Sequence, residues 1–161
     1  DPMSNPVKKT VSETQLIHAR TMLPSDANPA GNVHGGTVMK LIDDAAGACA
    51  IRHCRSNVVT ASVDRLVFLQ PVYIGNLLTL KAAVNYVGRT SLEVGVRVEA
   101  EDLRSGKVTH TSSAYLTFVA LDDDNKPFEI PGLIMETEEE KRRFNDGVRR
   151  REERLRAKVK E

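Results

Sequence analysis

Tryptophan is absent from this 161-residue chain and aromatic residues make up only 4% of it, which removes the stacking platforms on which single-strand nucleic-acid binders rely. Net charge is almost absent as well. Lys and Arg number 23 against 22 Asp and Glu, so no long-range field draws a polyanion, and an anionic partner has to be met by local clusters. Nucleic acid is therefore not an expected partner. Cysteine is scarce: Cys49 and Cys54 lie on what reads as one helix, at a spacing that turns them to different faces and disfavours a disulfide. Two free thiols suit a reducing compartment. No stretch approaches the roughly 18 uncharged apolar residues of a membrane span, and the start Asp1-Pro2-Met3-Ser4 lacks the apolar core of a secretory leader. Neither membrane insertion nor export is expected, and the expected location is the cytoplasm.

With 40% hydrophobic residues, the chain is long enough for one sizeable core and too short for two ordinary domains. Residues 11–23 mix β-branched and polar side chains up to Pro24, which predicts an opening strand. Residues 24–36, rich in Pro, Gly and Asn, read as a loop with special backbone positions. From Thr37 to about His53 the apolar residues recur at three- and four-residue steps, as an amphipathic helix requires. The helix is small in its middle (Ala45, Ala46, Gly47, Ala48, Ala50), so another backbone can approach it closely. Arg52 and His53 are placed to complement the negative pole of its dipole.

Four strand-like segments follow, at 58–69, 77–87, 91–100 and 107–121, the last three joined by short turns as an antiparallel meander. One long helix buried against one antiparallel sheet defines an α+β class. Residues 122–135 read as a connector. From Glu136 the chain is dense in charge and predicts a peripheral C-terminal helix. The expected division is thus a compact unit over 11–121 and a connector with a charged helix over 122–161.

The run from Leu23 through Asn28-Pro-Ala-Gly-Asn-Val-His-Gly-Gly36 to Asp43, with Ala83-Val-Asn-Tyr-Val-Gly-Arg-Thr-Ser91-Leu-Glu-Val94, resembles the cytosolic acyl-CoA hydrolases of the hotdog superfamily. The similarity is to the bacterial single-domain enzymes and to each half of the duplicated brain-type hydrolase, over most of residues 14–150. It implies the hotdog fold, one helix wrapped by an antiparallel sheet, with paired units that commonly assemble as a trimer of dimers. The implied activity is hydrolysis of fatty acyl-CoA without metal or other cofactor, coenzyme A being part of the substrate. The family's catalytic Asn falls on Asn28 and its catalytic Asp on Asp43, matched through Gly31, Asn32, His34, Gly35 and Gly36.

The residues themselves fit that chemistry. A helix opening near Gly36 offers free backbone N–H groups and a positive dipole end as an oxyanion hole, and Gly35 and Gly36 admit a substrate close to the backbone. Asp43 follows Gly36 by seven residues, roughly 10 Å along the axis, too far to serve the same carbonyl. A site shared between two subunits is the consequence. Asp43 is then general base or nucleophile, against the alternative of a solvated helix residue such as Asp44. Asn28 holds the attacking water or the thioester oxygen, against the alternative of a plain turn residue. Asn32 is expected to cap the loop or brace the helix start. His34 is expected to shape the loop, since no Ser, Cys or second His completes a triad with it. His18, His53 and His110 are scattered, so no metal site is expected.

Arg89, Thr90 and Ser91, at the turn between two strands, are candidates for binding a CoA phosphate, the alternative being a β-turn with a solvated arginine. The runs Lys141-Arg-Arg143 and Arg149-Arg-Arg151 are candidates of the same kind, against a solvated helix face. A non-catalytic acyl-CoA sensor is the competing function, although no helix-turn-helix precedes residue 11. A hotdog dehydratase or hydratase would need a His and Asp pair that Asn28 and Asp43 do not provide.

Overall fold

The architecture was taken from a computed structural model that describes residues 7–159. Residues 1–6, on which the leader reading rests, and 160–161, the end of the expected C-terminal segment, lie outside the described residues.

The chain begins with a short strand β1 (Lys9–Thr10), a single helical turn α1 (Val11–Thr14) and strand β2 (Leu16–Thr21). The expected strand over 11–23 is thereby corrected. Thr10 and Glu13 form a capping box, each side chain binding the other's backbone N–H, and this local pairing outweighs the β-branched composition of Val11 and Thr14. A 3-10 turn (Pro24–Asp26) then leads into the loop before helix α2 (Gly35–Cys54).

Helix α2 buries Val38, Leu41, Ile42, Ala45, Ala46, Cys49, Ala50 and His53 along one stripe, the periodicity expected of a helix packed on a sheet. It ends where Arg55 takes a left-handed conformation at φ 53°. The last carbonyls are capped from outside the helix: Lys9 Nζ donates to Arg52 O at 3.0 Å and His53 O at 2.8 Å. Arg52 and His53, expected to serve that pole, are used elsewhere. Arg52 donates to the carbonyls of Gln15 and Glu13, and the His53 ring is fully buried against Pro131 O.

Strands β3 (Asn57–Phe68), β4 (Leu77–Val87), β5 (Ser91–Glu101) and β6 (Val108–Leu121) complete an antiparallel five-stranded sheet in the order β2-β4-β5-β6-β3. Alternate residues such as Leu80, Val84, Val96, Leu116 and Phe118 are buried beneath α2. A Cβ placed on Gly47 would lie 3.8 Å from the Phe118 ring, so the small residues of α2 do allow sheet and helix to close up. The core so formed is the source of stability, at about 25 cal/mol per Å² of apolar surface removed from water.

The other face of the sheet carries helix α3 (Glu138–Val159), which follows a short strand β7 (Leu133–Ile134) paired in parallel with β1. Although peripheral and highly charged, α3 is fastened by polar anchors. Phe144 packs edge-on against Tyr86 with ring centroids 5.1 Å apart. Arg150 forks onto the buried Glu93 carboxylate at 2.6 and 3.0 Å and lies 3.7 Å above the Tyr115 ring. Arg154 reaches Asp64 at 2.8 Å. Among the described residues strand β3 pairs only with β6 and leaves its other edge open, with Val59, Val63 and Val67 exposed.

Candidate active site

The loop ahead of α2 is fixed by Asp26. Its carboxylate accepts from the Leu23 backbone N–H at 2.7 Å and from Arg20 Nη2 at 3.0 Å, and its carbonyl accepts from His34 N–H at 2.7 Å. The Leu23 amide bond, with help from Arg20, holds the Asp26 carboxyl below the usual carboxylate range. Val33 is tied to Val72 O at 2.8 Å, and Gly31 turns the loop at φ +90°, a conformation suited to glycine.

Inside this loop, Asn28 Oδ1 accepts from the backbone N–H groups of Ala30 at 3.0 Å and Asn32 at 3.2 Å. Both partners are obligate donors, so the orientation of the amide is fixed and the Asn28 NH2 group points away from them, with no acceptor among the described residues. Of the two roles open to Asn28 from sequence, donation to a thioester oxygen matches that polarity. Of the two roles expected of Asn32, the structure shows it in the loop and not at the helix start, whose cap is His34. The Asn32 backbone closes the Asn28 turn and bridges to Tyr73.

The helix cap is His34, whose Nδ1 accepts the Gly36 N–H at 3.1 Å while its carbonyl receives Thr37 and Val38. Gly36 therefore does not offer the free amide expected of it. Among the described residues the Gly35 N–H, one position earlier, is the amide at this helix end with no partner. An imidazole that accepts at Nδ1 carries its proton on Nε2 when neutral. His34 then has no lone pair left for proton abstraction and acts on the shape of the helix start.

Asp43 lies half-buried on α2, and its Oδ1 accepts a hydrogen bond from Thr60 Oγ1 at 2.9 Å. Thr60, on the open edge strand β3, was not singled out from sequence. Its signal is positional only: it is paired across the sheet with Phe118, which lies under α2. From Gly35 to Asp43 is about 12 Å along the helix, so one chain does not place the Gly35 amide and the Asp43 carboxylate on one carbonyl.

Arg89, Thr90 and Ser91 occupy the turn between β4 and β5. Their carbonyls are spent on Ile130, Ala120 and Gly88 respectively, and the Arg89 side chain is exposed. Ser91 aligns with Val119 and, through it, Val59 at the start of β3, whereas Phe68 at the end of β3 stands by Gly35. Within one chain this turn and the Asn28 loop therefore sit at opposite ends of the sheet. Cys49 and Cys54 are held as thiols, pushed up by burial to about 12 and about 11, and are no candidates for a nucleophile. No cluster of metal-ligating side chains occurs among the described residues.

One small-residue helix wrapped by a five-stranded antiparallel sheet, with a carboxylate on that helix and free donors at its start, defines a hotdog-fold hydrolase. Residues 30–107 match the model of the thioesterase superfamily. The Helicobacter pylori protein VdlD is 40% identical over 94% of this chain and 86% of its own length. The rat cytosolic acyl coenzyme A thioester hydrolase is 40% identical over 91% of this chain, which spans 39% of that longer protein. Among solved structures, the Staphylococcus aureus acyl-CoA hydrolase in complex with butyryl coenzyme A, coenzyme A and coenzyme A disulfide superposes with a TM-score of 0.88 at 37% identity, covering 95% of this chain and 93% of that one. An apo-hexameric acyl-CoA thioesterase gives 0.90 at 38% identity, covering 94% and 97%. The S. aureus enzyme has also been solved as Asp43→Ala, Asn28→Ala and Thr60→Ala mutants, in its own numbering. The chain belongs to the acyl-CoA hydrolases of the thioesterase superfamily and is a thioesterase.

Proposed function

We propose that this thioesterase hydrolyses fatty acyl-CoA to free acid and coenzyme A in a site completed by two subunits. Asn28 Nδ2 and the Gly35 N–H of one subunit polarise the thioester oxygen, as preorganised donors do for a developing oxyanion. Asp43 of the other, held by its own Thr60, acts as general base or nucleophile. A thiolate is a good leaving group and needs little acid assistance.

The observation that carries this reading is the separation of unspent groups in one chain. The donors lie at the loop end of α2, and the carboxylate lies about 12 Å along it. Pairing two β3 edges antiparallel sets two α2 helices side by side and head to tail, bringing one chain's loop toward the other's Asp43. The open β3 edge with exposed Val59, Val63 and Val67 favours that pairing, as edge strands of this length are rarely left bare. The same pairing brings one subunit's Arg89 turn to the loop end of its partner, where it can meet a CoA phosphate. The hexameric relative supports a trimer of such dimers, and the mutants chosen in the S. aureus enzyme carry the same residue types and numbers as Asn28, Asp43 and Thr60 here. The cytosolic relative supports a cytoplasmic enzyme.

The test is release of free thiol from acyl-CoAs of graded chain length, followed by mixing of Asn28→Ala with Asp43→Ala subunits after dissociation and reassembly. Each variant alone is expected to be inactive, and the mixed dimers to regain about a quarter to a half of wild-type turnover per site pair. No recovery on mixing would place both groups in one subunit. Binding of acyl-CoA without turnover by the wild type would make the chain a sensor.

A further inference from the structure

The face of the sheet turned away from α2 bears a groove of about 530 Å³ between the strands and the first half of α3. Its floor is low where Ala83 of β4 stands opposite Gly95 of β5, with the Asn85 amide folded over Gly95 and Ser113 and Tyr115 beside it. Its walls are cationic: Lys81 and Arg97 rise from the sheet, and Arg142, Arg143 and Arg150 descend from α3. The basic run at the start of α3 is thus divided by the structure, with Arg142 and Arg143 lining the groove and Lys141 outside it.

These cations are short of counter-charge. Glu99 is shared by Lys81 at 2.9 Å and Arg97 at 3.1 Å. Glu139 is shared by Arg142 and, at 3.3 Å, Arg143, and Asp146 by Arg142 and Arg149. Only Arg150 has a carboxylate, Glu93, to itself. The five cations of the walls, with Arg149 outside the lining drawing on the same Asp146, share four carboxylates, an excess of two positive charges in the network. Guanidinium groups on facing walls suit the tetrahedral, multiply accepting oxygens of a phosphate, and the volume suits a mononucleotide-sized molecule.

The groove is not the Asp43 centre. Ala82 and Val96 reach its floor with their backbones alone; their side chains, like that of Ala114, are buried in the core, and Asp43 lies on the helix beyond that layer, roughly 10 Å of packing away. We propose that this groove is a second site, which takes a phosphate-bearing ligand of about two negative charges. The ligand is either a free nucleoside phosphate or the phosphate end of a coenzyme A whose thioester lies in another subunit's site.

The assembled protein is to be titrated with AMP by calorimetry at low and at moderate salt, with adenosine as the uncharged control. AMP is expected to bind and adenosine not, with affinity falling steeply as salt rises. In Arg97→Gln/Arg143→Gln, whose side chains are half exposed in the wild type, AMP binding is expected to weaken by about tenfold or more. Lys81→Gln is the second variant, should the double one fold poorly. If the KM for acyl-CoA rises in parallel at unchanged kcat, the ligand is the substrate's own phosphate; if KM is unchanged, it is a free one. The proposal is overturned if the wild type does not bind AMP, if adenosine binds equally well, or if folded variants bind AMP as the wild type does.

Discussion

Thr60 Oγ1 donates to Asp43 Oδ1 at 2.9 Å, joining the carboxylate of α2 to the open edge strand of the sheet. The bond holds one carboxylate oxygen and leaves the other to face water or substrate. Hydrogen bonds to charged groups contribute about 1.5–3 kcal/mol. If the bond is needed to aim Asp43 in the transition state, Thr60→Val should lower kcat by roughly 10- to 150-fold with KM little changed, and Thr60→Ser should restore most of it. Steady-state kinetics on a single acyl-CoA checks this; loss of activity in the Ser variant with retention in the Val variant would show that the methyl group matters and not the hydroxyl.

Asn28 separates loop-building from catalysis within one side chain. Its oxygen builds the turn through Ala30 and Asn32, and its NH2 group is left to the substrate. Asn28→Asp keeps two acceptors for the same backbone N–H groups and loses the donor. The variant is expected to fold with unchanged thermal stability and to lose about 10²- to 10³-fold in kcat, the usual effect of removing one oxyanion donor. Full activity in Asn28→Asp would assign Asn28 to the loop alone.

Much of this fold was legible because hydrophobic period and turn residues agree along the chain. The segments expected at 77–87 and 91–100 coincide with β4 and β5 almost residue for residue, since Gly88, Arg89 and Thr90 mark the turn between them, whereas the one-residue register shift between Val84 and Tyr86 left no trace in the pattern. The helix was readable from Val38 to Cys49 for the same reason. Illegible features are those set by a single contact across the structure. Thr60 is one β-branched residue in a β-branched strand until β3 is laid beside α2. The cap on Gly36 depends on the rotamer of His34, and composition cannot distinguish that ring from a base. The Arg150 and Glu93 pair joins residues 57 positions apart, and in sequence Arg150 is one charge in a solvated-looking run.

That pair makes its own prediction. Glu93 is 1% exposed and Arg150 nearly buried, with Asn85 Nδ2 also on the carboxylate at 3.2 Å. Removing one partner leaves a buried charge, which costs about 3–5 kcal/mol, whereas replacing both with apolar residues of similar volume is often close to neutral. Arg150→Met and Glu93→Leu should each lower stability by that amount in urea unfolding, and the double variant should recover most of it. Additive losses in the double variant would mean that the two side chains act independently in fastening α3.

His53 gives the fold a sensitivity to mild acid. Its ring is fully buried at the end of α2, with Nε2 2.7 Å from Pro131 O and Nδ1 without a partner. Burial lowers its pKa; the carbonyl of Pro131 opposes this, Lys9 assists it, and Glu13 weakly opposes it. The folded state thus takes up its proton at lower pH than the unfolded chain, whose histidine titrates near about 6.5. The stabilisation is fully present above that value and is lost as pH falls from about 6.5 toward the depressed folded value, because the unfolded state then binds more protons. The slope for one proton is at most about 1.4 kcal/mol per pH unit. His53→Gln retains a donor for Pro131 O and cannot titrate. Its urea midpoint should fall less than that of the wild type between pH 7 and 5, and parallel profiles for the two proteins would remove His53 as the source of the acid sensitivity.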